Sequence, residues 1–132
     1  MSVSQWVDRV SKDDVLEMAR NLIAIPSVSG DERTVMEWVH GWCVSRGISV
    51  EVVSLDEARP NLVITVGDPS SGPIVAMNGH LDTVPISDPA AWKTDPFDPV
   101  VSLDGMRLFG RGSSDMKSST GVMIYLMGLF AG

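Results

Sequence analysis

The chain has 132 residues, about one domain by length, and its 44% hydrophobic and 20% charged residues are those of an ordinary folded domain rather than a disordered one. Ten Lys and Arg stand against seventeen Asp and Glu, a formal charge of −7 with no basic cluster. That balance argues against nucleic acid or an anionic membrane surface as a partner.

The opening MSVSQWVDRVSKDD is too polar for the apolar run of a signal peptide. Ser11, with Asp14 three residues on, has the pattern of an N-terminal helix cap. Val15, Leu16, Ala19, Leu22 and Ile23 follow at helical spacing, and Pro26 ends the element. The loop SVSGDE leads to a second helix, on which Val35, Trp38, Val39, Trp42 and Cys43 form an i, i+3, i+4, i+7, i+8 stripe. Gly47 sits where a left-handed C-terminal cap is wanted. Cys43 lies on the stripe and reads as a buried structural thiol. As the single cysteine, it excludes an internal disulfide and a cysteine-based zinc site. His40 lies off the stripe, without a neighbouring ligand type, and reads as a surface residue.

The period then changes to that of strands. ISVEVVSL alternates as a half-exposed strand does, whereas NLVITVG and PIVAMN are continuous apolar runs of the kind found in interior strands. The joins DEARP and DPSSGP are too short for helical crossovers, so antiparallel neighbours are expected. The fold class is α/β: a mixed sheet with helices on both faces, three layers α/β/α. Residues 81–97 form a long, proline-rich, aperiodic connection, a length that is uncommon in compact domains and often functional. VVSLDGMRLFG reads as a hairpin about Asp104-Gly105. The last element is a helix from about Met116 to Phe130, apolar on nearly every face from Val122 onward. Its apolar stretch is far short of the ~20 residues that cross a bilayer. The expectation is a soluble, cytoplasmic chain. A helix apolar all round needs cover on every side, so the sequence is also expected to be part of something larger.

Two short segments carry chemistry. His80 and Asp82, in MNGHLDTVP, follow directly on an apolar run, and in open α/β sheets ligands bind beyond the carboxyl ends of strands. An H-x-D pair there has a specific use: one imidazole nitrogen takes a metal while the carboxylate takes the other N–H and fixes the tautomer. The plainer alternative is a strand-end histidine beside a solvated Asp. Asp115, in GRGSSDMKSS, follows Gly110 and Gly112, which permit tight turns, and stands at the start of the last helix. Its plainer alternative is a helix-capping Asp. A phosphate-binding loop at 112–118 lacks the glycine before Lys117, Gly110-x-Gly112 lacks the third glycine of a dinucleotide fingerprint, and Asp82-Thr83-Val84 is not Asp-Thr-Gly.

Taken together, MNGHLDTVP, WKTDPFDP and DGMRLFGRGSSDMKSS, with AIPSVSGDE near the start, resemble the co-catalytic zinc amidohydrolases and exopeptidases. That family includes acetylornithine deacetylase, succinyl-diaminopimelate desuccinylase, aminoacylase and glutamate carboxypeptidase. The resemblance runs from about residue 12 to the end and implies that residues 1–132 are the N-terminal part of a metallohydrolase catalytic domain. It implies that His80 is a terminal ligand of one zinc, that Asp82 is the acid orienting it, and that Asp115 bridges both metals. Two ions roughly 3.5–4 Å apart then activate a water and polarise an amide carbonyl. It also implies a cis peptide between Asp115 and Met116.

The family's adjacent Glu pair, its further acid and late histidine, and its inserted lid domain, through which members often form homodimers, have no counterpart among these residues. The expected activity is hydrolysis of an amide bond in an N-acyl amino acid or small peptide, with the isolated chain inactive. Cobalt or manganese can replace zinc on such a donor set. The competing expectation is a truncated, non-catalytic binding module that keeps the fold. If His80 and Asp115 share an ion, their donor atoms should lie about 3–4 Å apart, with Asp82 on the Nδ1 side of the ring.

Overall fold

The computed structural model describes residues 2–132. Helix α1 (Val3–Val7) starts at Ser2, whose hydroxyl accepts the Gln5 N–H. It is too short to show a period in the sequence, and its Trp6 stands edge-on to Phe130 with ring centroids 5.0 Å apart.

Helix α2 (Lys12–Ala24) is capped as expected: the Ser11 hydroxyl accepts the Asp14 N–H at 3.2 Å, and Asp13 and Asp14 fill the first turn, where the helix dipole favours anions. Met18, Ala19, Leu22 and Ile23 are buried, as the helical spacing requires. Helix α3 (Arg33–Val44) buries Val35, Val39 and Cys43, with Trp38 and Trp42 half-buried at the edges of the same stripe. Burial pushes the Cys43 thiol above its ordinary value. His40 is half-buried rather than fully on the surface.

Helix α4 (Lys117–Ala131) lies along α2. Gly121 permits the close approach, since a Cβ there would stand 3.2 Å from Leu22 Cδ1 and 3.3 Å from Met18 Cγ. The Tyr125 hydroxyl accepts the Ser11 N–H at 2.9 Å, which fixes α4 against the α2 cap. Met18, Leu22, Val35, Val39, Cys43, Ile48, Leu81 and Ile124 form the core between these helices and the chain that follows α3. Val122 and Phe130 remain exposed on α4, in line with a helix apolar on faces that α2 does not cover. Among the described residues no helix is long and apolar enough to cross a membrane.

The α/β class holds, but the sheet differs from the expected one. Strand β1 (Ser49–Val53) pairs antiparallel with β2 (Asn61–Thr65), Ser49 opposite Thr65 and Val53 opposite Asn61. Strand β3 (Val100–Val101) pairs antiparallel with β4 (Leu108–Phe109), and Gly105 at φ +70° makes the turn, so the Asp104-Gly105 hairpin is present. These are two separate two-stranded ladders. The mixed sheet and its three-layer sandwich are not formed by the described residues. The physical reason lies in PIVAMN, read from the sequence as an interior strand: residues 73–78 have no ladder partner and are exposed, Ile74 at 73% and Val75 at 85%. Apolarity gives a segment a reason to be buried, but a strand also needs neighbours for its N–H and C=O groups.

Candidate metal centre

The segment after this exposed run is held firmly. Residues 80–83 alternate, with Leu81 and Thr83 buried and His80 and Asp82 on the outer face, because side chains two apart in extended chain share a side. Thr83 and Val28 form a parallel bridge. The Thr83 N–H donates to the Ser27 carbonyl at 2.8 Å, the Ser29 N–H to the Thr83 carbonyl at 3.1 Å, and the buried Ser27 hydroxyl to the Leu81 carbonyl at 2.6 Å. From the other side the Thr120 hydroxyl donates to the His80 carbonyl at 2.9 Å. The H-x-D spacing becomes a site because the loop before α3 and the first turns of α4 clamp its backbone.

His80 stands between two carboxylates. Its Nδ1 meets the Asp82 backbone carbonyl at 3.1 Å with Asp82 Oδ1 alongside at 3.0 Å, and its Nε2 lies 3.1 Å from Asp115 Oδ1 across thirty-five residues of sequence. The ring is about half exposed and Asp115 is 86% exposed, so the pair faces open solvent. Asp82 is held below the usual carboxylate range, first by the Ser29 hydroxyl, which donates to its Oδ2 at 2.5 Å, with smaller help from the His80 and Arg59 charges; partial burial works against them.

Asp115 does not cap α4. Met116 occupies the N-cap position and no side chain caps the helix, so the capping alternative fails and the carboxylate turns to His80 instead. The Asp115–Met116 peptide is cis, as the resemblance implies. Gly112, at φ +82°, makes the turn that presents Asp115. A Cβ there would stand 2.8 Å from Thr83 Cγ2 and 3.2 Å from the Lys117 stem. Gly112→Ala combines the left-handed penalty with overpacking and is expected to destabilise the chain by about 2–3 kcal/mol. Urea denaturation measures it, and an unchanged midpoint would mean that the turn tolerates a side chain.

Two groups near the site carry no signature in the sequence. Lys117 is fully buried, and its Nζ donates to the Leu22 carbonyl at 2.8 Å and the Ile25 carbonyl at 2.6 Å. Those carbonyls belong to the last turn of α2 and its C-cap, where a cation is favoured. Desolvation nevertheless pushes Lys117 down to about 8. Glu32 is buried, accepts the Gly30 N–H at 2.7 Å and pairs with Arg59 Nε at 3.3 Å. Glu32, Arg59, Asp56 and Asn61 line a cleft of about 380 Å³ that opens beside His80 and Asp82.

The imidazole and carboxylate donors suit zinc or a similar divalent ion, and the separation of 3.1 Å between His80 Nε2 and Asp115 Oδ1 fits two ligands reaching one ion at ~2 Å each. Among the described residues no group of three or more such side chains converges as a metal cage. What stands here is one imidazole between two carboxylates.

Residues 76–131 match peptidase family M20/M25/M40. Along most of its length the chain is also similar to curated relatives. It is 35% identical over 115 residues to the succinyl-diaminopimelate desuccinylase of Buchnera aphidicola subsp. Baizongia pistaciae, covering 87% of this chain and 29% of that protein. It is 37% identical over 112 residues to that of Xanthomonas oryzae pv. oryzae, covering 85% and 28%. A probable succinyl-diaminopimelate desuccinylase of Staphylococcus epidermidis is 30% identical over 118 residues, covering 89% and 28%. The chain thus spans less than a third of the length of these relatives. The matched segment 76–131 contains His80, Asp82 and Asp115 together, and in this agreement of sequence the chain is similar to peptidase family M20/M25/M40.

Proposed function

We propose that this chain supplies part of a dinuclear metal centre in a hydrolase of amide bonds in N-acyl amino acids or small peptides. The observation that carries the proposal is the placement of His80 between Asp115 and Asp82, at 3.1 Å and 3.0 Å. The Asp82 carbonyl, with the Asp82 carboxylate beside it, holds the Nδ1–H and keeps the Nε2 lone pair free for an ion. Asp115, with two oxygens at an exposed turn, offers a second donor and a free oxygen for a neighbouring ion. When bound, such ions act as Lewis acids that polarise the scissile carbonyl and acidify a water. The cleft beside His80, lined by Arg59, Asn61 and Pro60, gives the substrate an approach to that edge of the ring. The names of the relatives specify removal of a succinyl group from succinyl-diaminopimelate, which supports an acylated amino acid as substrate. In the same reading residues 1–132 are the N-terminal part of a three-layer catalytic domain, in which residues 73–78 gain strand neighbours in a mixed sheet. Zinc is the proposed ion, the cytoplasm the proposed compartment, and a homodimer the proposed assembly.

The test is a calorimetric titration of the chain with zinc. His80→Ala and Asp115→Ala are each expected to weaken binding by more than roughly tenfold, since even the groups that merely hold a ligating histidine are worth 10- to 100-fold. His40→Ala is expected to leave it unchanged. Equal affinity in all three variants would remove the metal centre from these residues.

A further inference from the structure

We infer that Ser29 is a positioning residue of this centre: its hydroxyl locks the Asp82 carboxylate with its charge against the Nδ1 edge of the His80 ring, beside the carbonyl that accepts from that nitrogen. The inference rests on the metal-centre reading above. The Asp82 backbone carbonyl accepts from His80 Nδ1 at 3.1 Å, Asp82 Oδ1 lies 3.0 Å from the same nitrogen, and Oδ2 accepts the Ser29 hydroxyl at 2.5 Å. The terminal torsion of an Asp is broad, so a carboxylate without a second grip can swing about its Cβ–Cγ bond and take Oδ1 and its charge away from Nδ1, leaving the ring to the backbone carbonyl alone. Asp82 is 32% exposed, and water competes for any oxygen left open. A second grip at Oδ2 stops the rotation.

Ser29 is placed to give that grip at low entropic cost, because its backbone is already fixed. Its own N–H donates to Thr83, Thr83 donates back to Ser27, and Ser27 donates to Leu81, so the loop before α3 and the segment carrying His80 are stitched on both sides of Asp82. On the far side of Ser29, Glu32 takes the Gly30 N–H and pairs with Arg59. Only the Ser29 rotamer remains to be ordered when its hydroxyl meets Asp82. A purely structural role is met by the backbone N–H of residue 29, which every substitution retains. Among the described residues the Ser29 hydroxyl bonds to Asp82 alone. The arrangement runs Ser29 to Asp82 to His80 to Asp115, four side chains from three separate parts of the chain, with the serine at the end remote from the ion.

The test uses zinc as the probe on the 132-residue chain, with Ser29→Ala, Ser29→Thr and Ser29→Val compared by calorimetric affinity and by ring ¹⁵N–¹H correlation of His80, His40 being the internal reference. Ser29→Ala and Ser29→Val are expected to bind zinc about tenfold more weakly, the lower end of the range for groups that hold a ligating histidine. Their His80 Nδ1 proton is expected to broaden through exchange with water. Ser29→Thr keeps the hydroxyl and should restore both readouts, while the His40 signals stay fixed in every variant. Parent-like affinity and a sharp Nδ1 proton in Ser29→Ala would overturn the inference, and so would equal losses in the Thr and Val variants, which would make the effect one of shape. Should Ser29→Ala lose its helical circular dichroism, the isosteric Thr and Val pair decides alone. Failure of the underlying reading looks different: zinc affinity then fails to respond to His80→Ala itself.

Discussion

Between pH 8 and about 10.5 the parent chain is expected to gain stability that a Lys117→Met chain does not gain, a difference on the order of 3 kcal/mol by linkage. Lys117 has no exposed surface, and desolvation pushes it from an ordinary 10.5 down to about 8. Its folded value lies below its unfolded value, so in this window the unfolded chain binds the extra proton and stability rises with pH. Below pH 8 both states carry the charge, and its burial cost is present in full; above about 10.5 both are neutral and the cost is gone. The Leu22 and Ile25 carbonyls that meet Nζ favour the ammonium, so the downward shift is the work of desolvation against them. Cys43 works in the opposite sense. Its folded value is raised by burial, so it withdraws stability as pH climbs past the ordinary thiol range. That loss is common to parent and variant and cancels in the difference. Urea midpoints at several pH values for both chains supply the measurement, and parallel pH profiles would show that Lys117 titrates as an exposed lysine does.

The same lysine marks where legibility in the sequence ends. The helices α2, α3 and α4 were readable because each carries a long apolar stripe, and the α2 cap because Ser11 and Asp14 sit at fixed spacing. The hairpin was readable from Asp104-Gly105, a local signal. H-x-D and a glycine-presented Asp each have a plainer reading, and His80, Asp82 and Asp115 could be named together only because the resemblance joined them across thirty-five residues. The hydrogen bond of Ser29 to Asp82 spans fifty-three residues and that of Lys117 to Leu22 ninety-five, and the second ends on a carbonyl that every residue possesses. No spacing rule reports such pairs. PIVAMN misled for the converse reason: its apolar composition describes a neighbourhood, and among the described residues that neighbourhood is absent.

The 132-residue chain supplied with zinc is expected not to hydrolyse N-acetyl or N-succinyl amino acids at a useful rate. Amide hydrolysis needs a positioned base that takes a proton from the attacking water and returns it to the leaving amine, a contribution of roughly 100- to 10,000-fold. The carboxylates around the cleft are otherwise engaged. Asp82 is shared between Ser29 and His80, and Asp115 faces the Nε2 of His80. Glu32 is tied to Gly30 and Arg59, and Asp56 folds back onto the Ala58 N–H at 2.9 Å. Each of these four carboxylates is tied to a partner through at least one oxygen, and the metal-centre reading gives none of them the role of base. Release of free amine from both substrates, followed with zinc and with cobalt, measures the point. Metal-dependent turnover abolished by Asp115→Ala would overturn it and make one of these four acids the base. The exposed apolar surface of Val122 and Phe130 on α4 and of Ile74 and Val75 ahead of the site adds a physical requirement on the assay. Patches of that kind promote association, so the rate must be shown proportional to chain concentration before its absence is assigned to the missing base.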